Sequence, residues 1–101
     1  MNQIERIKLY ENYYDESKKA IDDLNDVLDN YLRIDKHYQK LIDYYTSNKW
    51  MKDYEDDEKG KLPKNLKRGI LSEDAIYDLI IEHKEIIKKI MKIINNEVDA
   101  L

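Results

Sequence analysis

Apolar residues recur at helical spacing along the first half of the chain. Ile7, Tyr14, Ile21, Leu28 and Ile42 stand at multiples of seven, and Tyr10, Leu24, Tyr31, Tyr38 and Tyr45 fill the complementary seam. Tyr13, Ala20, Val27, Ile34 and Leu41 widen that seam into a stripe broad enough for a packed bundle helix. Two seam positions, Ser17 and Asp35, are polar and mark points of irregularity. No glycine or proline interrupts the run, so the pattern predicts one long helix over about residues 2–46, with Asn25 to Asn30 as the place for a bend.

Ser47 then offers a capping hydroxyl for a short helix over about 48–59, carrying Trp50, Met51 and Tyr54 on one face. Both glycines and the single proline fall in the next stretch, Gly60 to Gly69. These residues are the most costly inside helices, so their confinement marks the connection, a turn segment over 60–71. Gly60 suits the left-handed residue that ends a helix, and Pro63 suits the start of a single turn through Leu66 and Arg68, stopped by Gly69. Ser72-Glu73-Asp74 is a helix-start signal. After it Ile76, Leu79, Ile80, Ile86, Ile87, Ile90, Ile93 and Ile94 line one face of a final helix over about 73–96. No strand pattern stands beside these.

The expected fold is therefore all-α and a single domain over 1–101: a long antiparallel helical hairpin with a short helix and a helical turn at the connection. Length sharpens this. About 44 residues of first helix span roughly 66 Å, and about 24 residues of last helix roughly 36 Å. The N-terminal part of the stripe, with Ile4, Ile7, Tyr10, Tyr13 and Tyr14, would overhang its partner. Either the first helix folds back, or a second copy covers it, and self-association through Ile4, Ile7, Tyr10 and Tyr14 is the reading adopted.

Composition narrows the function. Hydrophobic residues at 42% suffice for a core, while 40% charged residues and a mean hydropathy of −0.87 imply a solvated exterior. No run reaches the ~20 apolar residues of a membrane span, and the first residues lack a signal-peptide layout, so no membrane role and a cytoplasmic location are expected. The absence of cysteine removes thiol catalysis, disulfides and cysteine-ligated zinc. A net charge of −4 argues against broad nucleic-acid binding.

Candidate chemistry is sparse. Asp53 to Glu58 fails the calcium-loop pattern, because Glu58 stands where its glycine should be and Lys64 where its final acid should be. A solvated acidic face paired with nearby lysines is the preferred account. Glu82 and Glu85, three apart on a helix, could join Glu55 and Glu58 in the paired carboxylates of a metal-dependent nucleotide or phosphoester hydrolase, the runner-up function. His83 falls on the stripe of the last helix, His37 away from that of the first, and neither has a nucleophile beside it. The basic run Lys59 to Arg68 lacks a helix-turn-helix signature. Internal pairing with the flanking acids is its plain reading, and phosphate or an acidic partner its functional one. Trp50 and Tyr54 are the aromatic anchors most suited to a partner, although Trp50 could equally plug the core. With Lys67, Arg68, Asp74 and Tyr77 they form the candidate partner surface. No catalytic residue, metal ligand or cofactor is assigned.

The stretch from Asp43 to Leu79 carries a resemblance. Asp43-Tyr44-Tyr45, Trp50, Asp53, Gly60, Leu62-Pro63, Leu66-Lys67-Arg68-Gly69, Leu71-Ser72-Glu73-Asp74-Ala75 and Tyr77-Asp78-Leu79 resemble the signature of a family of small bacterial proteins catalogued as a domain of unknown function. The opening Gln3-Ile4-Glu5-Arg6-Ile7 is also similar to the usual start of that family. The resemblance implies a bacterial or phage-encoded cytoplasmic protein whose hallmark is the connection rather than the long helices. It brings no activity with it. The expected function is a non-catalytic protein-interaction module that self-associates, with a phage-encoded inhibitor of a host enzyme or defence system as a further alternative.

Overall fold

The computed structural model describes residues 1–100. It holds helix α1 (Gln3–Tyr45), helix α2 (Asn48–Glu58), a 3-10 turn (Gly69–Leu71) and helix α3 (Ala75–Ala100), with no strand among the described residues. The expected all-α order of a long helix, a short helix, a turn and a final helix is what the structure shows. The chain divides into two compact units, Met1–Lys40 and Leu41–Leu101.

The first unit is helix almost throughout. Asn2 starts it: its Oδ1 accepts from the Glu5 amide at 2.8 Å while its own Nδ2 donates to Glu5 Oε1 at 3.1 Å, a reciprocal cap. Lys18–Asp22 and Lys19–Asp23 form exposed i,i+4 pairs at 2.7 Å, each worth only tenths of a kcal/mol. No residue of α1 is buried, although the helix carries the apolar stripe along its length.

In the second unit the corner between α1 and α2 is made without glycine. The Thr46 hydroxyl donates to the Ile42 carbonyl at 3.1 Å, and the Ser47 hydroxyl donates to the Tyr44 carbonyl at 2.6 Å while accepting from the Trp50 amide at 3.4 Å. Both carbonyls also accept backbone amides, Ile42 from Thr46 at 3.1 Å and Tyr44 from Ser47 at 3.0 Å, so the hydroxyls add second bonds there, and Ser47 caps the Trp50 amide that the start of α2 leaves unpaired. At the far end of α2, Gly60 has φ +70°, the Gly60 amide donates to Asp57 at 3.0 Å and the Lys61 amide to Asp56 at 2.9 Å. This is a Schellman ending, and it requires the left-handed residue foreseen at Gly60.

Gly69 departs from expectation. Its φ is not positive, and it opens the 3-10 turn instead of stopping a turn begun at Pro63. The Pro63 turn closes by itself, with the Leu66 amide on the Pro63 carbonyl at 3.2 Å. The Ser72 hydroxyl then accepts from the Ala75 amide at 3.1 Å and launches α3, which runs past Asn96 because Asn95 and Asn96 are only weak helix breakers.

The core is small. Trp50, Leu71 and Ile76 are buried, at 7, 7 and 1% exposure, and Leu41, Ile42, Tyr44, Tyr45, Tyr54, Leu62 and Ile80 pack around them. At roughly 1.5–3 kcal/mol per buried large side chain, this cluster anchors the second unit. Beyond Ile80 the stripe of α3 is largely exposed, Ile86, Ile93 and Ile94 each by more than half.

Candidate functional site

The connection between α2 and α3 gathers a dense set of polar contacts. Trp50 sits at its base. Tyr54, one turn along α2, stacks on the indole at 5.3 Å with the rings 16° apart, and Tyr45 meets it edge-on at 5.1 Å. The indole Nε1 donates to the Ile70 carbonyl at 2.9 Å, tying α2 to the 3-10 turn. Tyr54 Oη donates to Glu73 Oε1 at 2.8 Å, tying α2 to the start of α3. That bond, followed by slight desolvation, raises the Tyr54 phenol above its ordinary value.

Arg68 fastens the loop from inside. Its Nη1 pairs with the Asp57 carboxylate, its Nη2 donates to the Pro63 carbonyl, and its Nε donates to the Leu66 carbonyl at 3.2 Å. The planar fork of a guanidinium suits this threefold reach, which a lysine would not reproduce. Asp56 takes Lys52 at 2.9 Å and Lys61 at 4.0 Å, and is held below the ordinary carboxylate range chiefly by the Lys52 hydrogen bond. Two pairs, Asp56–Lys61 and Asp57–Arg68, thus join the acidic stretch to the basic run within the connection.

A further tie was not foreseen. Tyr44 Oη donates to Asp53 Oδ2 at 2.6 Å across the α1–α2 corner. Burial first, and then the Asp53 carboxylate, push the phenol up to about 12. Nothing in the nine-residue spacing announces this pair. It becomes visible only once the Thr46–Ser47 corner folds α2 back.

The predicted partner residues therefore separate into two groups. Trp50 and Tyr54 stack on each other and Arg68 fastens the neighbouring loop, but Trp50 is buried and the polar ends of all three are taken up internally. Lys67, Asp74 and Tyr77 remain exposed, Tyr77 by 56%. Lys67 lines an open cleft of about 660 Å³ with Leu41, Ile70, Ile76, Leu79 and the acids Asp78 and Glu82. Ile4, Ile7, Tyr10 and Tyr14 are all more than half exposed on α1.

The four glutamates of the paired-carboxylate alternative are not gathered into a metal-binding cluster among the described residues. Glu55, Glu58, Glu82 and Glu85 are all exposed, and among the described residues no three of His, Asp and Glu converge to hold a metal ion. Glu85 is paired with Lys88 at 3.4 Å. His83 lies half-buried on α3 and His37 is exposed. No described helix is long and apolar enough to cross a membrane.

A family model described as a domain of unknown function, DUF4298, matches residues 7–93. The chain belongs to that family. The match takes in the connection and most of α1 and α3, so the stretch singled out in the sequence lies within the DUF4298 domain. No curated protein matches the chain, and neither does any solved structure.

Proposed function

We propose that this DUF4298 chain is a non-catalytic protein-interaction module of the bacterial cytoplasm. It self-associates through α1 and offers the exposed Lys67, Asp74 and Tyr77 to a protein partner. One observation carries the reading: α1 runs 43 residues with an apolar stripe and no buried residue. A contiguous apolar surface of this kind on a folded chain marks an interaction site. The connection supports the same reading, since its polar groups fasten one another instead of converging on a substrate.

Multi-angle light scattering over a wide concentration range, paired with far-ultraviolet circular dichroism, tests it. The expected result is a dimer or higher mass that dissociates on dilution with some loss of helicity. A monomer at high concentration with helicity unchanged on dilution refutes it.

A further inference from the structure

The stripe of α1 names its own partner by where its polar residues fall. Ser17 and Asp35 interrupt the seam, and both lie nine residues from Asp26, on opposite sides. We infer that α1 pairs with α1 of a second copy, antiparallel and centred on Asp26, so that Ser17 of each copy faces Asp35 of the other. This rests on the self-association reading and specifies its geometry.

The register follows from layer matching. With Asp26 at the centre, Tyr14 meets Tyr38, Ile21 meets Tyr31 and Leu24 meets Leu28, leaving Ser17 against Asp35. Every apolar layer finds an apolar layer, and the two polar positions find each other. Shifting the register by one heptad sets both Ser17 and Asp35 against apolar or terminal positions. A buried polar group without a partner is costly, so such shifts are disfavoured. Asp35 can accept the Ser17 hydroxyl, because an ionised carboxylate accepts about four hydrogen bonds. Its charge is already felt by Tyr31, whose phenol is raised first by desolvation and then by Asp35.

The flank of the stripe independently selects the antiparallel sense. Tyr13, Ala20, Val27 and Ile34 occupy the position just before the first core residue of each heptad, whereas Glu11, Lys18, Asn25 and Leu32 occupy the one just after the second, a flank that is polar except at Leu32. In a parallel pair these two flanks face each other, apolar against polar. In an antiparallel pair the apolar flank faces itself, so Ala20 meets Ile34 and Val27 meets Val27, while on the other flank Asn25 meets Asn25 and Lys18 meets Leu32. A parallel in-register pair would also stack Asp35 on Asp35, a like-charge layer inside the seam.

The area suffices. A stable interface at the low end buries about 1,200 Å² in total, about 600 Å² per copy. Spread over the twelve apolar seam and flank residues between Ile7 and Tyr38, that is roughly 50 Å² each. Five of the twelve are tyrosines, and a buried aromatic covers about 150–250 Å².

The absence of cysteine makes the test direct. Spin labels are placed singly by Asn12→Cys and Asp26→Cys in the full chain, both at exposed positions, and the label-to-label distance within the assembly is measured by pulsed electron resonance. Antiparallel pairing gives a short distance at position 26 and one longer by tens of ångströms at position 12, since 28 residues of helix intervene, about 42 Å. Similar short distances at both positions overturn the antiparallel sense while leaving self-association intact. No dipolar signal at either position, with a monomer mass, overturns both. Register is read by Ser17→Lys and Ser17→Asp. The lysine, facing Asp35 of the second copy, should hold or tighten the dimer, and the aspartate should weaken it about tenfold or more. Equal weakening by both overturns the Ser17–Asp35 layer. Helicity measured above the dissociation range separates these outcomes from unfolding.

Discussion

Gly60→Ala and Gly69→Ala form a matched pair that separates backbone conformation from space. A Cβ added at either glycine meets nothing within 4 Å, so neither substitution creates a clash. The difference is torsional. Gly60 holds φ +70°, where an L-residue pays about 1–2 kcal/mol. Alanine also narrows the unfolded ensemble, which returns about 0.4–1 kcal/mol. The net cost at Gly60 is then between about zero and about 1.6 kcal/mol. At Gly69, with φ not positive, only the second effect operates, and the substitution should stabilise by about 0.4–1 kcal/mol. The two variants should thus differ by about 1–2 kcal/mol, several degrees in midpoint for a domain this size. Urea unfolding followed by Trp50 emission reads the second unit, because Trp50 is the single tryptophan and lies in the core. Equal destabilisation by both substitutions would refute the reasoning, since it would mean that Gly69 also needs a conformation closed to alanine.

Two further outcomes are expected. Trp50→Phe removes the indole donor to the Ile70 carbonyl and part of the central ring, and should cost about 2–3 kcal/mol, read by urea unfolding with circular dichroism; a loss under 0.5 kcal/mol would show that the indole bond and packing carry little. For Tyr44 the folded phenol holds its proton more tightly than the unfolded one, so its contribution is complete below about pH 10 and lost as pH rises through about 12. Tyr44→Phe should therefore destabilise by about 1 kcal/mol at pH 8, after discounting for solvent screening, and the gap from wild type should close toward pH 12. A gap independent of pH would assign the loss to packing alone.

Local signals were legible in the sequence wherever one residue and its near neighbours decide the conformation. Ser47 and Ser72 cap the helices they precede, Gly60 takes the left-handed place, and the glycine-free run before Thr46 is one helix. Gly69 was misread because glycine permits a positive φ without requiring one, and only the surrounding chain decides which is used. Internal pairing of the basic run with the flanking acids was foreseen, and Arg68–Asp57 is one such pair, but the particular partners of Arg68 were hidden for a different reason. Asp57 lies eleven residues away, and the Pro63 and Leu66 carbonyls belong to backbone, which every residue carries alike. Trp50 could be placed on α2 but not assigned to core or surface, since an amphipathic face is the same whether it is covered by the chain's own turn or by a partner. Tyr44–Asp53 and Tyr54–Glu73 needed the corner and the connection to be built first.

The ties of the second unit share one property that bears on how the chain comes to be folded. Trp50 to Ile70 spans 20 residues, Tyr54 to Glu73 spans 19, Arg68 to Asp57 spans 11 and Tyr44 to Asp53 spans 9. Closing loops this short is entropically cheap, and domains dominated by near-neighbour contacts fold in microseconds to milliseconds. At about 5–20 residues per second of synthesis, the unit would assemble as soon as its last segment through Ile80 has emerged, well after α1 has left the ribosome. The stripe of α1 would by then already be exposed, so pairing between nascent chains on neighbouring ribosomes would be open to it from the moment of synthesis.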